Sequence, residues 1–498
     1  MKTSKNFLFV LFLLIANYLP AQDLQSLVQQ GMNKAYNMEM DAAEKIFNKI
    51  IDKYPDHPYG YYHIAQLHFW LYLGTRDPGE YQVFLKFEEI ADEKIEKFLE
   101  KEPKDYRLEY IAGNLESYKA MVHATNDASV DAFWASKKAV QHFEKTLELN
   151  PKFYNAYLGL GLFDYAMSFV PDFLKWAVNL TGLPSDKERG LKFIKKAYTK
   201  GTEKTEAGFH LSKIYTDYLA DYDSSYIYSR AIIAKYPQNT LFHYQYAVSL
   251  IKDKKLDQAN DVLNTVLRLD NRKIPQITAL AHFRKGEIFF KKNQFNSAIR
   301  QFEKFLDTSR ELDLTGIASY YTAISYRFLD NEIEYEKYLT LARGGNQDIF
   351  EDSYAKEKSE LYTQTEITPI DLKLIKIKNY LDSGRYKTAY DSLSALQSVD
   401  LNDNQGMMVN TFLGEAAFHL KKYDEAVTAL KQNIDREPGI DKWLIPQSFL
   451  LLAQSEYMLG RYEEAKEYLE EAEDENSYEY KDFLQSLIEN FKRQIGNK

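Results

Sequence analysis

A small residue, nearly always alanine, recurs four positions before a bulky apolar residue and, in several places, twelve before a proline. Ala43, Phe47 and Pro55 show the pattern first, and Ala91, Ile95 and Pro103 repeat it. Ala139, Phe143 and Pro151 follow, then Ala426, Leu430 and Pro438. In several copies a second small residue stands twelve positions before the alanine: Gly31, Ala247, Gly286, Gly414 and Ala453. Small residues at these intervals let two helices cross closely, and the bulky residue fills the space beside the crossing. The proline ends the second helix. The chain is therefore expected to be a string of helix pairs rather than two to four globular domains.

The unit length and residue classes are those of the tetratricopeptide repeat, a helix pair of about 34 residues. The expected fold is all-α, an α-solenoid of about ten or eleven such pairs. It would wind as a right-handed superhelix whose concave face is lined by the first helix, A, of each pair. Residues 22–345 read as one array with a helical insertion near 165–186, and residues 370–498 as a second array. Between them, 346–369 lacks a strong repeat match, carries Thr363, Thr365 and Thr368, and reads as a joint. Gly74, Pro78 and Gly79 read as a loop inserted around Leu73–Tyr81, and a longer linker is expected around Ala124–Val130. Tyr478 to Ile495 is amphipathic and suits a C-terminal capping helix.

With 39 Tyr and 30 Phe but only 13 Pro and 21 Gly, the chain favours helices over disorder or turn-rich β folds. The net charge of -10 and the lack of a long Lys/Arg run argue against nucleic acid as a partner. The absence of cysteine excludes disulfides, zinc–thiolate and iron–sulfur sites, thiol catalysis and an N-terminal lipid on cysteine. Residues 1–21 have the form of a signal peptide: Lys2 and Lys5, a short apolar run from Phe7 to Ala16, then Asn17, Pro20 and Ala21. Cleavage after Ala21 and a periplasmic or secreted location are expected.

The rhythm breaks between 157 and 190. Pro171 suits the first turn of a helix that is apolar nearly all round through Phe173, Leu174, Trp176, Val178 and Leu180, and Asp186 can cap the helix that follows. Ser168, Pro171, Gly182, Asp186, Glu188, Gly190 and Leu191 resemble a motif of the inclusion body clearance and tetratricopeptide-39-type family and its bacterial relatives. Ser185 stands where that family usually has Gly. Tyr236, Pro237 and Asn239, before an aromatic-rich helix, are also similar. The resemblance covers roughly residues 150–250 and implies a helical scaffold without a catalytic centre.

The nine histidines are scattered, and His63 and His68 are five apart, off a shared helical face. No phosphate loop, nucleophile elbow or metalloprotease motif is present, and the Glu-rich run 463–475 reads as a solvated face. No enzyme activity, cofactor or metal is expected. Binding candidates follow from repeat geometry, in which the second, fifth, ninth and twelfth positions of helix A face the groove. These give Tyr59, Tyr62, Gln66 and Phe69; Arg107, Tyr110, Asn114 and Ser117; and Asn155, Leu158, Leu162 and Tyr165. Aromatic platforms with amide and guanidinium donors suit an extended peptide or a glycan. The same side chains could instead pack on the insertion. The expected function is a non-catalytic cell-envelope scaffold that holds a protein partner in the concave groove. Two alternatives stand beside it. One is a contact with a membrane, lipid or outer-membrane protein through the apolar insertion and Trp176, and the other is glycan binding by the tyrosine-rich groove.

Overall fold

The computed structural model describes residues 23–168, 186–269, 271–309, 313–396, 399–436, 441–475, 478 and 481–496. The expected signal segment, Pro171, Trp176, Gly182 and Ser185 lie outside the described residues. Every regular element among the described residues is a helix.

The first eight helices are α1 (residues 23–36), α2 (Met40–Lys53), α3 (Tyr59–Thr75), α4 (Pro78–Lys101), α5 (Tyr106–Thr125), α6 (Ser129–Leu149), α7 (Ala156–Met167) and α8 (Lys187–Lys200). The small/large pattern does what its spacing implies. A Cβ added at Gly31 would strike the Phe47 ring, and one at Gly113 would come within 2.7 Å of the Phe143 ring. Gly286 opposes Phe302 and Gly414 opposes Leu430 in the same way. Phe47, Phe143, Phe302 and Leu430 are all fully buried. Each A helix thus gives up a side chain so that its partner's bulky residue can fill the crossing. The structure is an all-α solenoid of repeat-like helix pairs.

Two expected loops are absent. Pro78 occupies the first turn of α4 behind Asp77, whose side chain accepts a hydrogen bond from Gly79 N, and Arg76 makes the turn in the left-handed region at φ 57°. A proline costs nothing at that position, because its missing N–H has no partner inside the helix. The second repeat is long because α3 and α4 have 17 and 24 residues. α5 and α6 likewise run to 20 and 21 residues, leaving only three between them.

The chain divides into two compact units. The first is Met1–Leu211 with Tyr228–Phe242 and Asn271–Pro275, and the second is Ser212–Ile227 with His243–Asp270 and Gln276–Lys498. The 346–369 stretch holds a helix, Phe350–Gln364, with Ala355 and Ile367 buried in the same cluster as Phe302, Tyr320 and Leu339. Thr368 then starts the next helix with a capping box to Asp371. The last helix, Lys481–Gly496, buries Leu484, Ile488 and Phe491 against the final repeat, as a cap should.

Candidate partner-binding face

In the first unit the chain returns on itself. Tyr236 Oη donates to Asn33 Oδ1 at 3.2 Å, and Asn239 Nδ2 donates to the Tyr36 carbonyl at 2.8 Å. Asn239 Oδ1 also accepts from Phe242 N at 3.1 Å, so one buried amide starts a helix and ties it to α1. Lys273 pairs with Asp41 at 2.6 Å, and a side chain at Gly74 would press on Ile274 at 2.9 Å. The first repeat therefore closes against residues more than 200 positions later.

This closure turns the inner surface of the A helices into a largely buried polar centre. Of the expected groove residues, Tyr62, Gln66, Phe69, Tyr110, Asn155 and Tyr165 are buried, with Tyr62 only 3% exposed. Tyr59 and Asn114 are half-buried, and Arg107 is exposed with its guanidinium over the Tyr106 ring. Tyr62, Gln66, Tyr110 and Asn114 do come together. Asn114 Nδ2 donates to Tyr62 Oη at 3.0 Å, Tyr62 and Tyr118 hydroxyls meet at 3.2 Å, and Gln66 Nε2 donates to Tyr118 Oη at 2.9 Å. His63 Nδ1 lies 2.9 Å from Gln66 Oε1, and Phe69 stacks on Tyr118 at 4.4 Å between centroids. Asn155 joins them at the Glu203 end, where its side chain hydrogen-bonds the Glu203 carboxyl. Its Oδ1 accepts from Thr202 N at 2.8 Å, which fixes the turn before Glu203.

Two residues missed by repeat geometry complete the centre. Glu203 and Glu206 sit at the start of α9 (Lys204–Asp217), one helical turn apart. Tyr110 Oη donates to Glu203 Oε2. Tyr36 Oη donates to Glu206 Oε1 at 2.9 Å, and Gln66 Nε2 approaches the same oxygen at 3.4 Å. Among the described residues neither carboxylate pairs with a cation. Burial pushes the Glu203 carboxyl up, and the neighbouring Glu206 charge adds to it, bringing it to about 8. Burial also raises Glu206, against the Tyr36 hydrogen bond. Both side chains remain partly open to water, as do Tyr36, Asn114 and Tyr118. These five form the accessible face, and Tyr62, Gln66 and Tyr110 stand behind and orient them. Position-by-position groove rules point only to helix A of each pair, so they pass over Glu203, which precedes a helix, and Tyr36, which ends α1.

The residues of the family-like motif have visible roles. Asp186 caps α8 by accepting from Arg189 N at 3.0 Å, and Arg189 pairs with buried Asp164 at 2.6 and 2.7 Å. Gly190 and Gly161 lie so close that a side chain on either would meet the other's carbonyl. Leu191 is buried. On α5 and α6, Met121, Val130 (70% exposed) and Trp134 (53% exposed) keep apolar side chains in water. Among the described residues no helix is long and apolar enough to cross a membrane, and no group of three or more His, Asp or Glu side chains is placed to hold a metal.

A family model described as Iml2/Tetratricopeptide repeat protein 39 matches residues 114–337, and a tetratricopeptide-repeat model matches 25–57 and 447–477. No curated protein matches. Among solved structures, the crystal structure of the P58(IPK) TPR domain is similar at 13% identity over 91% of this chain and 100% of that one. Its TM-score is 0.23, so the fold rests on the helix crossings above and not on that superposition. Over residues 114–337 the chain is thus similar to the Iml2/Tetratricopeptide repeat protein 39 family, and at 25–57 and 447–477 it matches the tetratricopeptide repeat.

Proposed function

We propose that the protein is a non-catalytic scaffold of the cell envelope that holds an extended segment of a partner protein on the accessible face of the first unit. The observation that carries this reading is the convergence of Tyr36, Asn114, Tyr118, Glu203 and Glu206 on one partly open surface, backed by buried Tyr62, Gln66 and Tyr110. Asn114 commits its Nδ2 to Tyr62 and keeps Oδ1 for an incoming backbone N–H. The tyrosine hydroxyls and carboxylates add acceptors, and the Tyr118 ring, already stacked on Phe69, supplies a rigid apolar wall. Repeat scaffolds generally bind proteins or peptides, and the signal-like residues 1–21 support the envelope location.

The test is retention of a partner from envelope extract by the chain starting at Gln22, compared with Asn114→Ala combined with Tyr118→Ala. Loss of one dominant protein with helicity unchanged supports the face. Retention of the same protein at the same yield refutes it. A second reading, contact with lipid or a membrane protein, is favoured by one observation. Met121 of α5 and Trp134 of α6 are exposed, and the apolar run Phe173–Leu180 follows α7 in the sequence. Vesicle flotation that disappears on Trp134→Glu would support it, and indifference to vesicles would remove it.

A further inference from the structure

We propose that Glu203 and Glu206 form a proton-dependent clasp: with a proton on the pair the first repeat is held against residues 203–242, and with both carboxylates ionised it is released. This goes beyond the scaffold reading and does not depend on any partner.

The geometry is that of a closure. The pair sits on a single turn and reaches outward to different elements. Glu206 takes Tyr36 from α1 and Gln66 from α3, and Glu203 takes Tyr110 from α5. Every one of these contacts spans at least 93 positions of sequence. The titratable groups that face the pair are Tyr36 from α1, Tyr59, Tyr62 and His63 from α3, Tyr110 and Tyr118 from α5, and Tyr236 from the returning segment. None of them supplies a positive charge at neutral pH. Tyr36, Tyr59, Tyr62, Tyr110 and Tyr118 are pushed up by burial and stay neutral, and burial depresses His63 to about 4. Asp105 and Arg107 act on Tyr59 and are not among the groups that shift Glu203 or Glu206. Two negative charges at this spot would thus meet burial and each other with no compensating cation among the described residues. One proton relieves both costs and leaves acceptor oxygens for Tyr36 and Tyr110.

The direction follows from linkage. A carboxyl whose closed-state value lies near 8, against an ordinary 4.5, favours closure fully below 4.5 and loses that contribution as the pH rises towards 8. Every tenfold gain in proton affinity on closing changes the closure equilibrium by about tenfold.

The experiment is hydrogen exchange of residues 23–53 in the full chain at pH 6.5 and 9, corrected for the chemical exchange rate. Protection of this segment is expected to fall at least tenfold, while helix Leu444–Met458 of the second unit serves as the internal control. Glu203→Gln with Glu206→Gln keeps the shape and removes both charges, so its protection should be the same at both pH values. Equal protection of the parent at both pH values overturns the proposal. So does a double variant that falls as far as the parent. If the double variant misfolds, Glu206→Gln alone serves, and it should reduce the fall; an undiminished fall has the same overturning force.

Discussion

The centres of the two units treat buried carboxylates in opposite ways. In the second, cations hold them. Lys254 pairs with Glu415 at 3.0 Å, Lys252 and Lys213 hold Asp217 at 2.7 and 2.8 Å, and Arg284 meets Glu287 at 2.6 Å. Lys378 pairs with Asp382. Burial alone would raise these acids, but the cations outweigh it, and Glu415, Asp217, Glu287 and Asp382 all lie below their ordinary range. Asp352 departs from this rule: it accepts from the backbone N–H groups of Leu314, Ile317 and Asn346, and burial raises it. In the first unit, Glu203 and Glu206 have hydroxyls and an amide instead of cations, and they too lie above their ordinary range. The same repeat architecture thus carries one centre locked by ion pairs and one held by a proton. The lesson is that the helix-pair scaffold sets where side chains meet, while the choice of partner sets how the meeting responds to pH.

The comparison breaks most violently where a cation is stripped of its partner. Lys358 and Asp441 form a buried pair at 2.7 Å, with side chains 6% and 2% exposed. Asp441 also accepts from Asn404 Nδ2 at 2.9 Å. Asp441→Ala leaves the ammonium buried and unmatched, at a cost of about 3–5 kcal/mol. Urea unfolding followed through the second unit checks this. A loss below about 1 kcal/mol would mean that water or another carboxylate takes Asp441's place, and the ion-pair account of this unit would fail.

A repeat crossing should cost less, because it disturbs packing without orphaning a charge. Gly113→Val forces a branched side chain into the Phe143 ring, where even a Cβ would lie at 2.7 Å. Destabilisation of about 1–3 kcal/mol is expected, and a neutral effect would show that α5 and α6 can separate freely.

These crossings were the most legible part of the molecule. Gly31, Gly286 and Gly414 oppose the bulky residues that the twelve-and-four spacing names, because the crossing is local and recurs. Helix length was less legible. Gly74, Pro78 and Gly79 carry loop chemistry, but Asp77 and the first-turn position absorb the proline, and the two glycines sit in helices. The centre of the first unit was half legible. Helix-A positions found Tyr62, Gln66, Tyr110 and Asn114. Nothing local marks Glu203, Glu206 or Tyr36, whose contacts bridge 93 to 170 residues. The one hint lay in Tyr236 and Asn239, whose side chains make the return to α1.

The pH responses of the units should have opposite slopes. In the second unit burial, aided by Lys254, depresses His419 to about 4, so its neutral form contributes stability that is lost as the pH falls from 6.5 towards 4. The lowered carboxylates add losses below their own ordinary range. In the first unit the acid pair contributes stability that is lost as the pH rises from 4.5 to 8, although His63, depressed to about 4, acts the other way below 6.5. Between pH 6.5 and 8 the contribution of the pair falls while those of His63 and His419 stay constant. Hydrogen exchange should therefore show α3 losing protection across that interval while helix Asp403–His419 holds steady. Parallel behaviour of the two helices would erase the distinction.

The finest test is a difference measurement in which His63 cancels. Glu206→Gln keeps an oxygen for the Tyr36 hydroxyl and removes the charge that Glu203 opposes. At pH 8 the variant should exceed the parent in stability by about 1 kcal/mol, the scale of one buried polar mismatch. Below pH 4.5 both carboxyls of the parent carry their protons, and the two proteins should unfold together. The sign decides the matter. Glu415→Gln, the same change in the second unit, orphans Lys254 and must destabilise at pH 8. If Glu206→Gln also destabilises there, the carboxylate stabilises the fold in its ionised form, a cation reaches it in solution, and the first unit is held together in the same manner as the second.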